Sequence, residues 1–357
     1  MSQTRHVHVV GTGTIGEPLI GLLADFRKEF GIDEVSFHKR TPLTSERAKV
    51  RNLMDRGALL CTDEPVIPKF EDQGLKVSWT AEEAIQRASV VIDCTPSGVG
   101  HENKNKNYDR FVDSTLGFVA QGSEFGFGKM YARGVNDEAL VHGEDKFVQV
   151  VSCNTHNIAV LIKTLALYDN DPSNLIEAKF VMMRRSSDIS QDGDFVPAPK
   201  VGKHDDPRFG THHARDAWHL FNTMGYDLNL YSSAIKLPTQ YMHCLWFNLR
   251  LKEKVSLPTV VQRLKSNRRM ATTEKSSANQ IFSFGRDHGH YGRILSQTVV
   301  PLKSLSVVGD HEIVGFAFTP QDGNPLLSSV AITCWYFDPE NLSDRLDCLR
   351  PFLFHEI

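Results

Sequence analysis

The constraint that most limits what this chain can become is a strand that runs straight into a glycine-spaced turn. His6-Val7-His8-Val9-Val10 alternates like a strand, Gly11-Thr12-Gly13-Thr14-Ile15-Gly16 follows, and an apolar helical pattern continues through Leu19, Ile20, Leu22, Leu23 and Phe26. In such a unit the first glycine permits the tight turn, the second lets a pyrophosphate approach the backbone, and the third lets helix and strand pack closely. The pyrophosphate then lies on the helix N-terminus, where unpaired N–H groups and the macrodipole favour an anion. Gly11, Gly13 and Gly16 are therefore candidate dinucleotide-binding residues.

The next strand, Glu34 to His38, bears on which dinucleotide. Sites for NAD usually end this strand with an acid for the ribose 2′-hydroxyl. Here Lys39-Arg40-Thr41 follows instead, two cations and a hydroxyl that suit a 2′-phosphate. This favours NADP, with NAD still possible; a solvated basic turn is the bland alternative.

Strand and helix patterns alternate onward: helices over Ser45–Arg56 and Ala81–Arg87, strands over Ser89–Cys94, Phe118–Gly122 and Phe147–Ser152. That alternation predicts an α/β, doubly wound parallel sheet of the Rossmann type. Beyond residue 152 the pattern changes to strands over Glu177–Arg184, Leu228–Lys236, Tyr241–Lys252, Ser304–Val308 and Glu312–Thr319. Helices are expected over Ala214–Met224, Pro258–Lys265 and Ser277–Phe284. This predicts a second α+β domain with a mixed or antiparallel sheet. The expected division is a dinucleotide-binding domain over 1–152 and a catalytic domain over 153–324. A C-terminal segment over 325–357, with an amphipathic helix at Asn341–Phe352, would pack back on the first. Residues 188–210 read as a long surface loop.

Composition excludes several classes. Of 357 residues, 41% are hydrophobic and 23% charged, with a formal net charge of −3, so neither nucleic acid nor a membrane is an expected partner. No apolar run reaches spanning length, and the early strand leaves no room for a signal peptide. Six cysteines without CxxC spacing suit a reducing cytoplasm and no structural metal.

One of them stands apart. Cys153 lies where Val148-Gln149-Val150-Val151 gives way to a helical pattern from Ile158. A thiol at a helix N-terminus is expected to have its pKa lowered and to act as a nucleophile, with nearby N–H groups for an oxyanion. The competing reading is a small apolar plug. His243 shares an alternating face with Leu245, Phe247, Leu249 and Leu251, so from pattern alone it reads as a core histidine. His212 and His213 open a helix and could be surface or cap residues. Neither His204 with Asp205 and Asp206 nor His288 with His290 requires a metal.

Taken in order, these motifs resemble those of the archaeal-type (type II) glyceraldehyde-3-phosphate dehydrogenases. Gly11–Gly16 resembles that family's GYGTIG, Thr95–Gly100 its TPxGVG and Gln121-Gly122-Ser123-Glu124 its QGGE. Val151-Ser152-Cys153-Asn154-Thr155 is identical to its nucleophile motif. Arg184–Asp188 resembles RRAAD, His212–Asp216 resembles HH-x-x-D, and Pro238–His243 resembles PTTLMH. The resemblance implies Cys153 as nucleophile and His243 as catalytic base. It implies that Ser152, Asn154, His212 and His213 hold substrate, and that Thr14, Ile15, Gly122, Ser123, Arg185 and Gln321 touch the dinucleotide. Glyceraldehyde 3-phosphate and inorganic phosphate are the implied partners, and a homotetramer the implied assembly. The chain departs from the family at Ser123, at Leu245, and at Pro320-Gln321-Asp322-Gly323, where the family has HQES.

Overall fold

In the computed structural model, which describes residues 4–357 except 189–192, 194 and 321, contacts divide the chain into two units. The first comprises residues 1–129, 140–150 and 326–348; the second comprises 130–139, 151–325 and 349–357. Against the expected line at residue 152, the segment 130–139 goes with the second unit. The C-terminal stretch is shared, 326–348 with the first unit and 349–357 with the second.

The first unit is built on an eight-stranded sheet. Its order is Trp79–Thr80, Leu59–Thr62, Glu34–His38, His6–Val10, Val90–Asp93, Gly117–Ala120, Phe147–Val150 and, at the edge where the chain passes to the other unit, Lys129–Tyr131. The pairings from Trp79–Thr80 across to Phe147–Val150 are all parallel. This is the expected Rossmann-like α/β sheet. Its strands are near-continuous apolar runs because helices cover them; all of Val7, Val9, Phe37, Val90, Val91, Ile92, Phe118 and Val119 are buried. The chain winds outward from His6–Val10 to Trp79–Thr80, then returns to pair Val90–Asp93 on the other side. Such a reversal opens a crevice at the carboxyl ends of the two strands. The Gly11–Gly16 turn and the Thr95–Gly100 loop both leave from those ends.

The second unit holds a mixed sheet ordered Lys200–Val201, Leu230–Lys236, Leu175–Arg184, His243–Leu251, Glu312–Thr319, Thr298–Pro301 and Met270–Thr273, with Ser306–Val308 paired to Glu312–Thr319. Leu175–Arg184 and Leu230–Lys236 are parallel and need a crossover, which the helix His212–Asn222 supplies. That helix and Cys153–Leu161 pack on the sheet through Ile158, Leu161, Leu220 and Phe221 against Phe180, Met182, Leu245 and Phe247.

The C-terminal expectation needs correction. Residues 341–352 form only a short helix, Leu342–Arg345, and a 3₁₀ stretch, Asp347–Phe352. The substantial helix is Gly323–Phe337, in which every residue from Gly323 to Tyr336 is buried. A helix buried all round shows no amphipathic period, and Ser328-Ser329-Val330-Ala331-Ile332-Thr333 has strand-like composition. Among the described residues, no helix is long and apolar enough to cross a membrane.

Candidate functional site

Within the first unit, the glycine turn has the geometry its spacing predicts. Gly11 has φ +100°, and a Cβ there would meet Cys94 O at 2.9 Å; a Cβ on Gly16 would lie 2.1 Å from Gly11 O. Both positions exclude side chains for reasons internal to the fold. Gly13 differs, since a Cβ there would meet nothing within 4 Å. Its openness fits a turn kept clear for a ligand's phosphates. Thr14 and Ile15 follow, half-buried, at the start of the helix Gly16–Asp25.

The Gln121–Glu124 stretch splits into parts. Gln121 is buried and donates to Ser329 Oγ at 3.0 Å. Glu124, 2% exposed, accepts N–H bonds from Gly98 at 2.6 Å and His101 at 3.0 Å, so it caps the helix Val99–Lys106. Gly122 and Ser123, between them, face outward to a greater degree.

At the end of Glu34–His38, Arg40 and Thr41 are exposed. The Lys39 ammonium ion-pairs with Glu46, which also takes Lys49 at 2.5 Å. Lys49 in turn donates to Thr12 O in the glycine turn at 3.1 Å. The sequence pattern found no acid here because Glu46 stands beyond the strand, on the 3₁₀ turn Thr44–Glu46.

The second unit contains the cysteine. Cys153 begins the helix Cys153–Leu161, and Ser152 is its N-cap. Ser152 Oγ accepts the Thr155 N–H at 3.3 Å and pairs with Thr155 Oγ1 at 2.9 Å. The Ser152 side chain that the resemblance gives to substrate thus also caps the start of a helix. Asn154 is buried, its Oδ1 accepting from Thr319 Oγ1 at 3.5 Å, and Asn157 donates to the same hydroxyl at 2.8 Å. Asn324 Nδ2 donates to Cys153 O at 2.9 Å. Two residues of the distant 319–324 connection therefore fasten the start of this helix.

The expected thiolate is not the resting form. Burial pushes the Cys153 thiol up to about 12, and the Asp322 carboxylate acts in the same direction. Arg185 and the Asn154 N–H oppose them without prevailing. Cys153 keeps part of its surface exposed, but a helix end does not offset the loss of water around the sulfur.

His243 opens the strand His243–Leu251, on the alternating buried face expected for it, and pairs in register with Thr319. Burial and the neighbouring Arg185 and Arg184 hold its pKa well below 6.5, so the ring is neutral. The Arg185 backbone N–H donates to His243 Nδ1 at 2.9 Å. With Nδ1 accepting, the neutral ring carries its proton on Nε2. Arg185 is itself buried at 5% exposure, and its guanidinium ion-pairs with Asp188. Cys153, Asp322 and His243 thus share one neighbour, Arg185.

His213 is buried, its ring tilted at 47° against that of the exposed His212 with centroids 3.9 Å apart; neither ring nitrogen of His213 has a hydrogen-bond partner among the described residues. Burial, His212, Arg184 and His243 all hold it neutral. In this neutral buried ring beside Arg184, one orphaned nitrogen is an N–H that suits a ligand's oxygen and the other an acceptor that suits a hydroxyl. Asp322, which sequence reasoning did not single out as a site residue, is 7% exposed with φ +65°. Burial raises it to about 6, against Arg185 and Arg293, the latter 3.7 Å away. Gln321 lies outside the described residues. His204, in the 188–210 loop, pairs with Ser233 Oγ at 2.9 Å and Tyr231 OH at 3.3 Å.

Similarity to known proteins agrees with the motifs. No family model matches the chain. It is 28% identical to a glyceraldehyde-3-phosphate dehydrogenase of Methanobacterium bryantii, over 85% of this chain and 86% of that protein. A glyceraldehyde-3-phosphate dehydrogenase of Methanococcoides burtonii is 29% identical over 79% of each chain. One from Sulfolobus acidocaldarius is 27% identical over 85% and 84%. The resemblance to the archaeal enzymes therefore extends along nearly the whole length.

Proposed function

We propose that this chain is a phosphorylating glyceraldehyde-3-phosphate dehydrogenase, oxidising the aldehyde with NADP, or with NAD, to an acyl phosphate. The observation that carries the reading is the second unit's arrangement: a cysteine on a capped helix N-terminus shares Arg185 with a neutral, backbone-oriented histidine. Archaeal relatives of that name, similar along most of the chain, support it.

In the first step the Cys153 sulfur adds to the aldehyde carbon and its proton passes to a base. The π pair of the carbonyl moves to oxygen, where the Nε2–H of His243 and the backbone N–H of Cys153 or Asn154 at the helix start would stabilise it. For His243 to be the base implied by the resemblance, its Nδ1 contact with Arg185 must shift so that the ring can take a second proton. Nicotinamide, when bound, would supply the hydride acceptor, and loss of hydride from the adduct would leave a thioester on Cys153. A phosphate oxygen then adds to that thioester and the thiolate departs. His212, His213 and Arg184 would hold phosphate groups, one on the substrate and one incoming. Gly11, Gly13, Thr14, Ile15, Gly16, Gly122 and Ser123 would hold the dinucleotide, and Lys39, Arg40 and Thr41 would take its 2′-phosphate.

One observation favours a second reading, in which water takes the thioester. Asp322 lies within electrostatic reach of Cys153 and is raised to about 6, suited to activating water near neutrality. The test is reduction of NADP and NAD by the purified protein with glyceraldehyde 3-phosphate, with and without phosphate or arsenate, beside Cys153→Ser. Turnover that requires phosphate and vanishes in Cys153→Ser is the expected result. Turnover indifferent to phosphate assigns the thioester to water, and turnover surviving in Cys153→Ser refutes the thioester altogether.

A further inference from the structure

The triad of Lys39, Glu46 and Lys49 carries an inference that rests on the dinucleotide reading and goes beyond it. Lys39 is fixed by its backbone, whose N–H donates to Cys61 O at 3.0 Å while its carbonyl accepts from Thr62 Oγ1 at 2.8 Å. Lys49 comes from the helix Arg47–Asp55 and reaches the glycine turn at Thr12 O. Glu46 lies between them, and all three side chains are partly shielded, with exposures of 13%, 28% and 21% in chain order. A charge-assisted bridge with this much shielding is stronger than a fully solvated one. Although burial works against its charge, the two ammonium groups hold Glu46 below the usual carboxylate range.

We propose that Glu46 sets the choice between the two dinucleotides by bridging Lys39 and Lys49. The bridge occupies the Lys39 ammonium that a 2′-phosphate would engage beside Arg40 and Thr41, together with the nearby Lys49, so NADP must loosen it in order to bind. The same carboxylate, tied through Lys49 to the glycine turn, is an acceptor of the kind a ribose 2′-hydroxyl requires. The protein thereby carries both chemistries in one place, an acid for NAD and a pair of cations for NADP, each masking the other. Lys39 after the second strand advertises NADP in the sequence; Glu46 holds that preference back.

The test is equilibrium binding without turnover. Dissociation constants for NADP, NAD and 2′,5′-ADP are measured by calorimetry for the wild type, Glu46→Gln and the double variant Glu46→Gln/Lys39→Met, with thermal midpoints confirming the fold. Glu46→Gln is expected to tighten NADP and 2′,5′-ADP by about tenfold, the scale of one charge-assisted contact. NAD is expected to weaken by roughly threefold, the share of one hydrogen bond to the ribose. Adding Lys39→Met should cancel the gain for NADP. Unchanged or weaker NADP binding in Glu46→Gln overturns the inference while leaving the cofactor reading intact. A correctly folded wild type that binds neither dinucleotide overturns both.

Discussion

Two glycines of one turn should respond to the same substitution in opposite ways. At Gly13 an added Cβ meets nothing within 4 Å, and φ is not in the left-handed region. Gly13→Ala should therefore leave the apo protein as stable as before, or more stable by about 0.4–1 kcal/mol through the unfolded chain's lost freedom. At Gly16 the Cβ falls 2.1 Å from Gly11 O and 3.3 Å from Cys94 Cβ. Contact there is more than an ångström too close, and the obstacle is backbone. Helix and turn must separate, which costs about 1–3 kcal/mol or more. Binding should not follow stability. If the turn cradles a pyrophosphate, the Gly13 methyl removes its approach, and losing one or two charge-assisted hydrogen bonds at about 1.5–3 kcal/mol each weakens dinucleotide binding at least tenfold. Urea unfolding of the apo forms and fluorescence titration with NADP separate the two quantities. The reasoning fails if Gly13→Ala binds dinucleotides as tightly as the wild type, because the open space would then have no ligand to serve. It also fails if Gly16→Ala is as stable as the wild type.

Other consequences are testable. His6 and His8 are buried and share Ser36 Oγ at 2.6 and 2.7 Å, and burial lowers His6 from 6.5 to about 4. The folded form binds fewer protons there, so stability present above pH 6.5 is lost as pH falls toward 4. The loss is about 2 kcal/mol by pH 5. Urea unfolding of wild type and His6→Gln at pH 7 and pH 5, read by the emission of Trp79 whose ring lies 5.3 Å from His6, should show a flatter profile in the variant; equal slopes would remove His6 as the cause. Since burial raises Cys153, its alkylation by iodoacetamide in the apo protein should keep climbing with pH beyond 9; a plateau below pH 8 would mean a preformed thiolate. Ser152→Ala should cost about 1 kcal/mol through the lost cap, and an unchanged urea midpoint would show that the cap contributes nothing. His243→Asn should lower kcat by a factor of about 10²–10⁴, the usual share of a proton-handling group. A rise in KM alone, with kcat unchanged, would make it a binding residue.

Legibility in the sequence followed physical contrast. His6–Val10, Glu34–His38 and Ala81–Arg87 have the bounds their patterns predict, since turns and charges punctuate them. His243 was placed on the correct strand face by alternation, but alternation could not reveal the Arg185 N–H that orients its ring. The helix Gly323–Phe337 escaped because burial on every side erased its period. Thiol state escaped for a related reason: a helix start is visible in sequence, whereas the dehydration that outweighs it is a property of the packed unit. Glu46 and Asp322 reach their places through turns, so no spacing rule for strands or helices points to them.

The fastening of Cys153 by Asn324, and of Asn154 and Asn157 by Thr319, has a consequence for how the protein is made. These contacts join residues 162 to 171 positions apart. A growing chain that has already exposed its cysteine cannot fasten that helix start until residues 319 and 324 have left the ribosome. The helix start is therefore fastened late, and chains truncated before residue 319 should lack aldehyde-oxidising activity even though their solvated thiol is more reactive than the buried one.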